Sequence, residues 1–295
     1  MEWLTEFPDL GTSTLRNIRL TVDGAFREFT RAYGESIELL FEPVKWFLIN
    51  SENFMTDMPW PLILGIVAVL VWIASRSWKI TLSSVVVLIV IGLFGMWEDT
   101  MKTIAMTFVA TVLAIIFGIP IGIGMSRSNR VQSVVNPILD IMQTMPSFVY
   151  LIPVIMLFGI GKVPGLIAVI IYAIPPIIRL TNLGIRLVDK DVLEAADAFG
   201  SSSWQRLKNV QMPLALPTIM AGINQTIMMA LAMVVVASMV GVQGLGQQVL
   251  RAINNQYFTL GVLNGLAIVG VAIIFDRASQ AYGQRLQRHT EVVHG

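Results

Sequence analysis

The sequence predicts an all-α, polytopic membrane protein with about seven transmembrane helices. Apolar residues make up 55% of the 295 residues, charged residues make up only 13%, and the mean hydropathy is +0.71. Soluble domains carry about twice that charged fraction. The apolar residues also form continuous runs close to the roughly 20 residues that a helix needs to cross the hydrocarbon core. No water is available in that core to hydrogen-bond the backbone, and a helix satisfies its backbone N–H and C=O groups internally.

Seven such runs follow one another from residue 60 onward. Asp140 lies near the start of the fourth run, where its carboxylate is either an intramembrane charge or one that reaches the interface. Two adjacent prolines, Pro175 and Pro176, are expected to end or kink the fifth. The predicted spans are Trp60–Ser75, Ile80–Trp97, Ile104–Met125, Pro137–Ile160, Pro164–Ile178, Pro217–Val240 and Leu260–Phe275.

The distribution of Lys and Arg predicts the orientation, because short cytoplasmic loops carry an excess of both. The loops after spans one, three and five, together with the C-terminal tail, hold twelve of these residues. The loops after spans two, four and six hold three, which are Lys102, Lys162 and Arg251. The C-terminus is therefore expected in the cytoplasm, and an odd number of spans places the N-terminus outside.

Residues 1–58 are polar, but their apolar residues recur at helical spacing from Leu15 to Phe29 and from Ile37 to Leu48, with Pro43 interrupting the second run. This pattern predicts two amphipathic helices on the membrane surface or against a partner. A loosely ordered tail is the alternative. The chain then divides into an extracytoplasmic N-terminal region (1–58), two accessory transmembrane helices (59–98), a core domain (99–278) and a cytoplasmic tail (279–295).

The composition argues against several functions. The chain has no Cys, and its two His are His289 and His294, so neither a thiolate nor an intramembrane His metal site is predicted. A net charge of +1 gives no sign of nucleic-acid binding. No Gly-rich phosphate loop is found, so the chain is not expected to hydrolyse ATP. No catalytic set is found either: an intramembrane enzyme would need a deep Ser or Asp pair, and a channel would need a charged ring or carbonyl filter.

The run Asp191–Pro213 is the longest charged stretch in the second half of the chain, and apolar segments lie on both sides of it. It predicts a first short helix that begins with Asp191 and Glu194 as a capping pair and stops at Gly200. A second short helix, Trp204–Val210, is capped by one of three preceding serines, Ser201–Ser203, and ends before Pro213. An ordinary solvated hairpin between two membrane helices is the alternative.

Glu194-Ala195-Ala196, followed by Gly200 and then by Val210-x-Met212-Pro213, resembles the EAA signature of ABC-importer permeases. Val210 and Met212 stand where that signature has Ile and Leu. The resemblance implies a cytoplasmic loop with a coupling helix that sits in a groove of a partner ATPase. Ala195, Ala198 and Phe199 share one face, which has little bulk except the ring and so suits close docking. The residues assigned to ATPase coupling are Glu194, Ala195, Ala196, Phe199, Gly200 and Pro213.

A longer resemblance covers about residues 95–280 and is densest at 140–250. It rests on DIMQTMPSFVYLIPVIMLFGIGKVPG, YAIPPIIRLTNLGIR, NQTIMMALAMVVVASMVGVQGLG and FDRASQ. These stretches are similar to the permease (transmembrane) subunit of the bacterial glycine betaine/proline betaine ABC importer family. The resemblance implies a homodimer in the bacterial inner membrane, two ATPase subunits that bind ATP and Mg, and an extracytoplasmic substrate-binding protein. An importer of choline or of another small amine or amino acid is the alternative.

Candidate pathway residues come from spans four to six. Met229 and Met233 share a face of span six with Met228 beside it, and flexible thioethers could close a passage and reopen it. Core packing is the alternative. Phe148 and Tyr150 are the only close aromatic pair in these spans, so an aromatic cage for a quaternary ammonium is expected on the binding protein instead. The full candidate set is Met228, Met229, Met233, Phe148, Tyr150 and Gln143.

Overall fold

The computed structural model describes residues 10–293, with the side chains of residues 10–285. Helices dominate this part of the chain, and no strand occurs in it. The predicted all-α class is therefore confirmed. The first nine residues of the predicted N-terminal region and the end of the predicted C-terminal tail, with Arg288, His289 and His294, lie outside the described side chains.

The N-terminal region forms one 46-residue helix, α1 (Thr12–Asp57), which contains Pro43. The prediction of two helices was wrong, because the chain continues as a helix between Phe29 and Ile37, and Pro43 does not break it either. Proline removes one backbone hydrogen bond from a helix, but here it lies on a surface stretch where Leu39 is 66% exposed and water can bond the freed carbonyl. Near its C-terminal end, α1 buries Glu52, which forms an ion pair with Lys162 at 2.7 Å. This pair fastens the N-terminal region to the rest of the molecule.

α2 (Trp60–Ser75) leaves α1 at an angle of 113° and is followed by α3 (Trp78–Leu93) and α4 (Trp97–Arg127). The predicted second span, Ile80–Trp97, extends too far. Gly95 has a φ of +75°, a conformation that favours glycine and turns the chain, so α3 ends at Leu93 and Trp97 begins α4.

The predicted fourth span, Pro137–Ile160, is not one helix. α5 (Asn129–Thr144) is followed by a single 3₁₀ turn, Ser147–Tyr150, and by α6 (Leu151–Phe158), with a bend of 112°. Pro146 lies at the break. The residue before a proline is driven out of the helical conformation, and Met145 is extended with φ −71° and ψ 133°.

α7 (Lys162–Arg186) runs through Pro175 and Pro176, so of the two expected effects, an end or a kink, the end does not occur. Both prolines are buried among neighbouring helices. In such surroundings tertiary packing outweighs the local preference against proline. The helix is also longer at its C-terminal end than the predicted Pro164–Ile178.

Five helices complete the chain. They are α8 (Lys190–Ala198), α9 (Ser203–Arg206), α10 (Met212–Ala237), α11 (Leu245–Asn255) and α12 (Phe258–Val293). α7 lies at the centre and packs most extensively against α4 and α10. A Cβ atom at Gly122 of α4 would lie 2.6 Å from Cβ of Thr181 in α7, and one at Gly118 would lie 2.4 Å from a methyl carbon of Ile177. The two helices approach this closely because these positions carry no side chain.

Four helices of the described chain are long and apolar enough to cross a membrane, and the number rises to six if each bent pair counts as one span. The bent pairs are α1 with α2 and α5 with the segment Ser147–Phe158. α3 is a further apolar helix of 16 residues. The seven predicted runs thus correspond to four long helices, two bent pairs and one short helix.

Candidate functional site

The candidate coupling loop joins α7 to α10 and consists of α8, a tight turn and α9. The N-cap of α8 is Asp189, whose carboxylate accepts a hydrogen bond from the amide of Asp191 at 2.9 Å. The predicted capping pair of Asp191 and Glu194 was therefore wrong. Asp189 has the non-helical backbone of a cap, whereas Asp191 already lies in the first turn.

The turn between the two helices is built around Gly200. Its φ is +79°, and its amide donates to the carbonyl of Asp197 at 2.9 Å, so the predicted glycine stop is confirmed. Ser202 then caps α9. Its hydroxyl accepts from the amide of Gln205 at 3.3 Å, while the Gln205 side chain accepts from the Ser202 amide at 2.8 Å. This reciprocal pair satisfies two amides that the start of a helix leaves free.

The second helix does not end before Pro213. α9 covers only Ser203–Arg206, and one π-helical turn, Leu207–Gln211, leads directly into α10. Pro213 is the second residue of α10. Pro213 comes two residues after this π turn, where the regular hydrogen-bond ladder of the helix is already interrupted, so the missing amide is tolerated. The expected chain break at this proline was therefore wrong.

Long-range contacts hold the loop against the body of the protein. Arg206 forms an ion pair with Asp197 at 2.6 Å, which joins α9 to α8. The guanidinium of Arg127, the last residue of α4, donates to the carbonyl of Ser203 at 3.1 Å. Leu207 is 2% exposed and packs in a cluster with Ile185, Ala215 and Ile219. Together these contacts make the loop part of the helix bundle rather than a free hairpin.

The outer face of this loop carries large exposed apolar groups. Phe199 is 91% exposed and Trp204 is 63% exposed. Glu194 and Ala195 are also exposed, and Ala196 is half-buried. Rings that a fold holds out in this way, on a segment fixed by hydrogen bonds and an ion pair, are typical of a surface that another protein covers.

The candidate pathway residues divide into two groups. Tyr150 and Met233 are 4% and 0% exposed and lie in one apolar cluster, with Met229 packed against it. Phe148 is 57% exposed and Met228 37%, and Gln143 is also exposed. Thus Met229 and Met233 do share a face, and that face is packed in this conformation.

The predicted aromatic pair does not form. The ring of Tyr150 instead meets that of Tyr172 edge-to-face, with centroids 6.0 Å apart, and its hydroxyl donates to the carbonyl of Met142. Phe148 lies two residues before Tyr150, about two-thirds of a turn of the 3₁₀ helix, so the two side chains leave on different faces and Phe148 is exposed.

Several polar contacts tie the helices together. Asp140 is 62% exposed and pairs with Arg179 of α7, so its carboxylate is not an isolated intramembrane charge. Asn224 of α10 donates to Asp276 of α12 at 3.0 Å. No group of three or more His, Cys, Asp or Glu side chains that could hold a metal occurs within the described part of the chain.

Sequence reasoning missed Asp189, Arg127 and Arg206. Asp189 had a usable signal, because an Asp directly before a helical run is a preferred N-cap. Arg127 and Arg206 had none. Arg127 contacts a residue 76 positions away, and its role follows from how α4 packs beside the loop.

Fold and site together define a multi-pass helical membrane protein with a rigid, surface-exposed loop between two helices of its bundle. The chain belongs to the family of binding-protein-dependent transport system inner membrane components, whose model matches residues 110–288. This family consists of transport components rather than enzymes, and it places the chain in the inner membrane as a multi-pass protein.

Among curated relatives, the glycine betaine/proline betaine transport system permease protein ProW of Escherichia coli is 48% identical over 82% of this chain and 68% of its own length. The glycine betaine/carnitine transport permease protein GbuB of Listeria monocytogenes is 47% identical over 81% of this chain and 86% of its own. A chain of the MetNI methionine ABC transporter, solved in an inward-facing conformation, has a TM-score of 0.58 and 22% identity over 63% of this chain and 93% of that chain. That likeness shows the ABC-importer permease fold.

Proposed function

We propose that this protein is the membrane-spanning subunit of an ATP-driven importer of glycine betaine, proline betaine and similar compatible solutes. The observation that carries the proposal is the 48% identity to a permease of that name over 82% of the chain. The identity extends through the helices that pack around α7, so it concerns the body of the transporter and not only the loop shared by many permeases.

The chain needs partners to work. Two ATPase subunits bind ATP and Mg, and each contacts the loop of residues 191–213. An extracytoplasmic binding protein delivers the solute, and two copies of the permease form the passage. The exposed ring of Phe199 and the contacts that fix the loop support this assignment, because a rigid loop can transmit a push from an ATPase to α7 and α10.

The coupling loop, which includes α9, and the C-terminal end of α12 face the cytoplasm, and α1 lies outside. The twelve-to-three distribution of Lys and Arg supports this orientation. The ion pair of Glu52 with Lys162 then lies near the outer interface, where it holds α1 onto the bundle.

The chemistry of the substrate fits a route through the permease that binds the solute weakly, rather than a high-affinity binding site. A quaternary ammonium is held best by aromatic rings within about 6 Å. Tyr150 and Tyr172 meet only each other, in a buried cluster. The binding protein therefore supplies the aromatic cage, and the permease supplies an apolar route past Met228, Met229 and Met233, which closes by methionine packing.

A different small amine is the second candidate. The trimethylamine N-oxide transport system permease protein TmoV of Pelagibacter ubique is 34% identical over 83% of this chain, although this covers only 34% of its own length. Trimethylamine N-oxide and betaine share a nitrogen that bears methyl groups, so one route could serve either solute. Choline belongs to the same chemical class.

Uptake of labelled solutes by the complete reconstituted system tests the proposal. Proteoliposomes that contain this chain, its ATPase and its binding protein should accumulate glycine betaine when ATP is inside, and an excess of unlabelled proline betaine should compete. An ATPase variant that cannot hydrolyse ATP is the matched control. Accumulation of trimethylamine N-oxide or choline without betaine would replace the first candidate by the second, and no accumulation of any of them would refute both.

A further inference from the structure

A groove of about 740 Å³ lies between α1, α2, α3, α4, α10 and α12. Its walls include Val67 and Leu70 of α2, Phe108 of α4, and Val271 and Phe275 of α12. Leu70 is 61% exposed, so the groove opens on the outer surface of the protein. Nearly all its lining is apolar, and a cavity of this kind takes an apolar occupant.

The size and depth of the groove match an acyl chain. On α2 the lining extends from Ile63 to Ala74, which is about 16 Å of helix. That depth is about half of the roughly 30 Å hydrocarbon core, the reach of one leaflet.

One end of the groove carries positive charge. Ala74 is the last lining residue of α2, and Arg76 and Lys79 follow it as exposed residues. On α12, Arg285 lies one turn beyond the lining residue Tyr282, and its guanidinium donates to the carbonyl of Ile73 at 2.8 Å. The residues that line the groove include no Lys or Arg, so these cations stand just beyond its end.

Among the described side chains, neither Arg76 nor Arg285 takes part in an ion pair. Two tryptophans flank them, Trp72 at 43% and Trp78 at 63% exposure. Tryptophan concentrates where lipid headgroups meet the hydrocarbon, so this end of the groove lies at headgroup depth.

We propose that the groove holds one acyl chain of a phospholipid, with the lipid phosphate bound by Arg76 and Arg285. Arginine binds phosphate oxygens through parallel N–H groups, and an apolar chain below it fills the space between α2 and α12. The lipid then joins the two accessory helices to the core of the permease. This inference rests on the placement of the chain in a membrane and is independent of the transported solute.

Photo-crosslinking tests the site. The purified protein is placed in nanodiscs that contain phosphatidylglycerol with a diazirine on one acyl chain, and the adducts are mapped by peptide mass spectrometry. Adducts are expected on groove residues such as Leu70 and Phe275. The double variant Arg76→Gln/Arg285→Gln should lower this labelling by about a hundredfold, because charge-assisted hydrogen bonds from both arginines to the phosphate are lost together.

Matched variants separate a bound lipid from the surrounding bilayer. Leu70→Trp fills the groove and should abolish labelling of Phe275, while Val69→Trp, on an exposed non-lining position of α2, should leave it unchanged. Arg277→Gln, at an exposed position of α12 outside the lining, controls for loss of charge. Only variants whose melting temperature equals that of the wild type are compared, and Leu70→Phe replaces Leu70→Trp if the latter unfolds. Equal labelling in every variant, or labelling of exposed α2 positions alone, would overturn the proposal.

Discussion

Replacing Phe199 by Ala should separate ATPase binding from folding. The ring is 91% exposed, so its removal should change the stability of the permease by less than about 0.5 kcal/mol. A buried phenylalanine covers at least about 150 Å², and at roughly 25 cal/mol per Å² its burial by a partner would stabilise the complex by about 4 kcal/mol. The ATPase should therefore bind the variant several hundredfold more weakly, on the order of 500-fold.

Titration of the ATPase subunit against purified permease measures this loss, and betaine uptake in proteoliposomes measures its consequence. Phe258→Ala is the matched control, because Phe258 is 82% exposed at the start of α12, which the proposed orientation places outside. The control should bind the ATPase and transport as the wild type does. If Phe199→Ala binds and transports normally, or if both variants lose binding equally, the docking role of the loop is refuted.

Three further predictions use the same preparations. Gly200→Val should uncouple ATP hydrolysis from uptake, because a side chain in the left-handed conformation costs about 1–2 kcal/mol, and normal coupled uptake would contradict this. Met233→Ala should lower stability by about 2–5 kcal/mol if the buried residue only packs, and Met228→Ala, at an exposed position, should lower it less; a stable Met233→Ala that leaks solute would instead favour the gate. In this cysteine-free chain, Ser13→Cys should react with an impermeant maleimide in spheroplasts and Ser203→Cys only after permeabilisation, and the reverse pattern would invert the orientation.

The local pattern of the sequence was sufficient for the class of fold and for the turn of the loop. Long apolar runs predict membrane helices because the thickness of the hydrocarbon core sets the length of a helix that crosses it. The absence of water there also requires the backbone to form its hydrogen bonds internally. The stop at Gly200 and a serine cap within Ser201–Ser203 were predictable for a similar reason. The left-handed turn and the N-cap are decided by one or two residues and their immediate neighbours, and both occur as expected.

The prolines show where prediction from the local sequence fails. Pro43, Pro146 and Pro175 all carry the same covalent restriction, yet only Pro146 stands at a break in a helix. The difference lies in the surroundings. Pro43 lies on an exposed helix, and Pro175 is clamped among packed neighbours, so in both places the helix gains more from continuing than it loses at the proline.

Only the packed structure decided which residues meet. Glu52 lies 110 positions from Lys162, and Arg127 lies 76 positions from Ser203, so no spacing in the chain links either pair. The burial of Met233 and the exposure of Met228, five residues apart on one helix, likewise follow from which face of α10 turns toward its neighbours. A sequence carries the period of a helix, but the direction in which a mostly apolar helix faces is set by the helices packed against it.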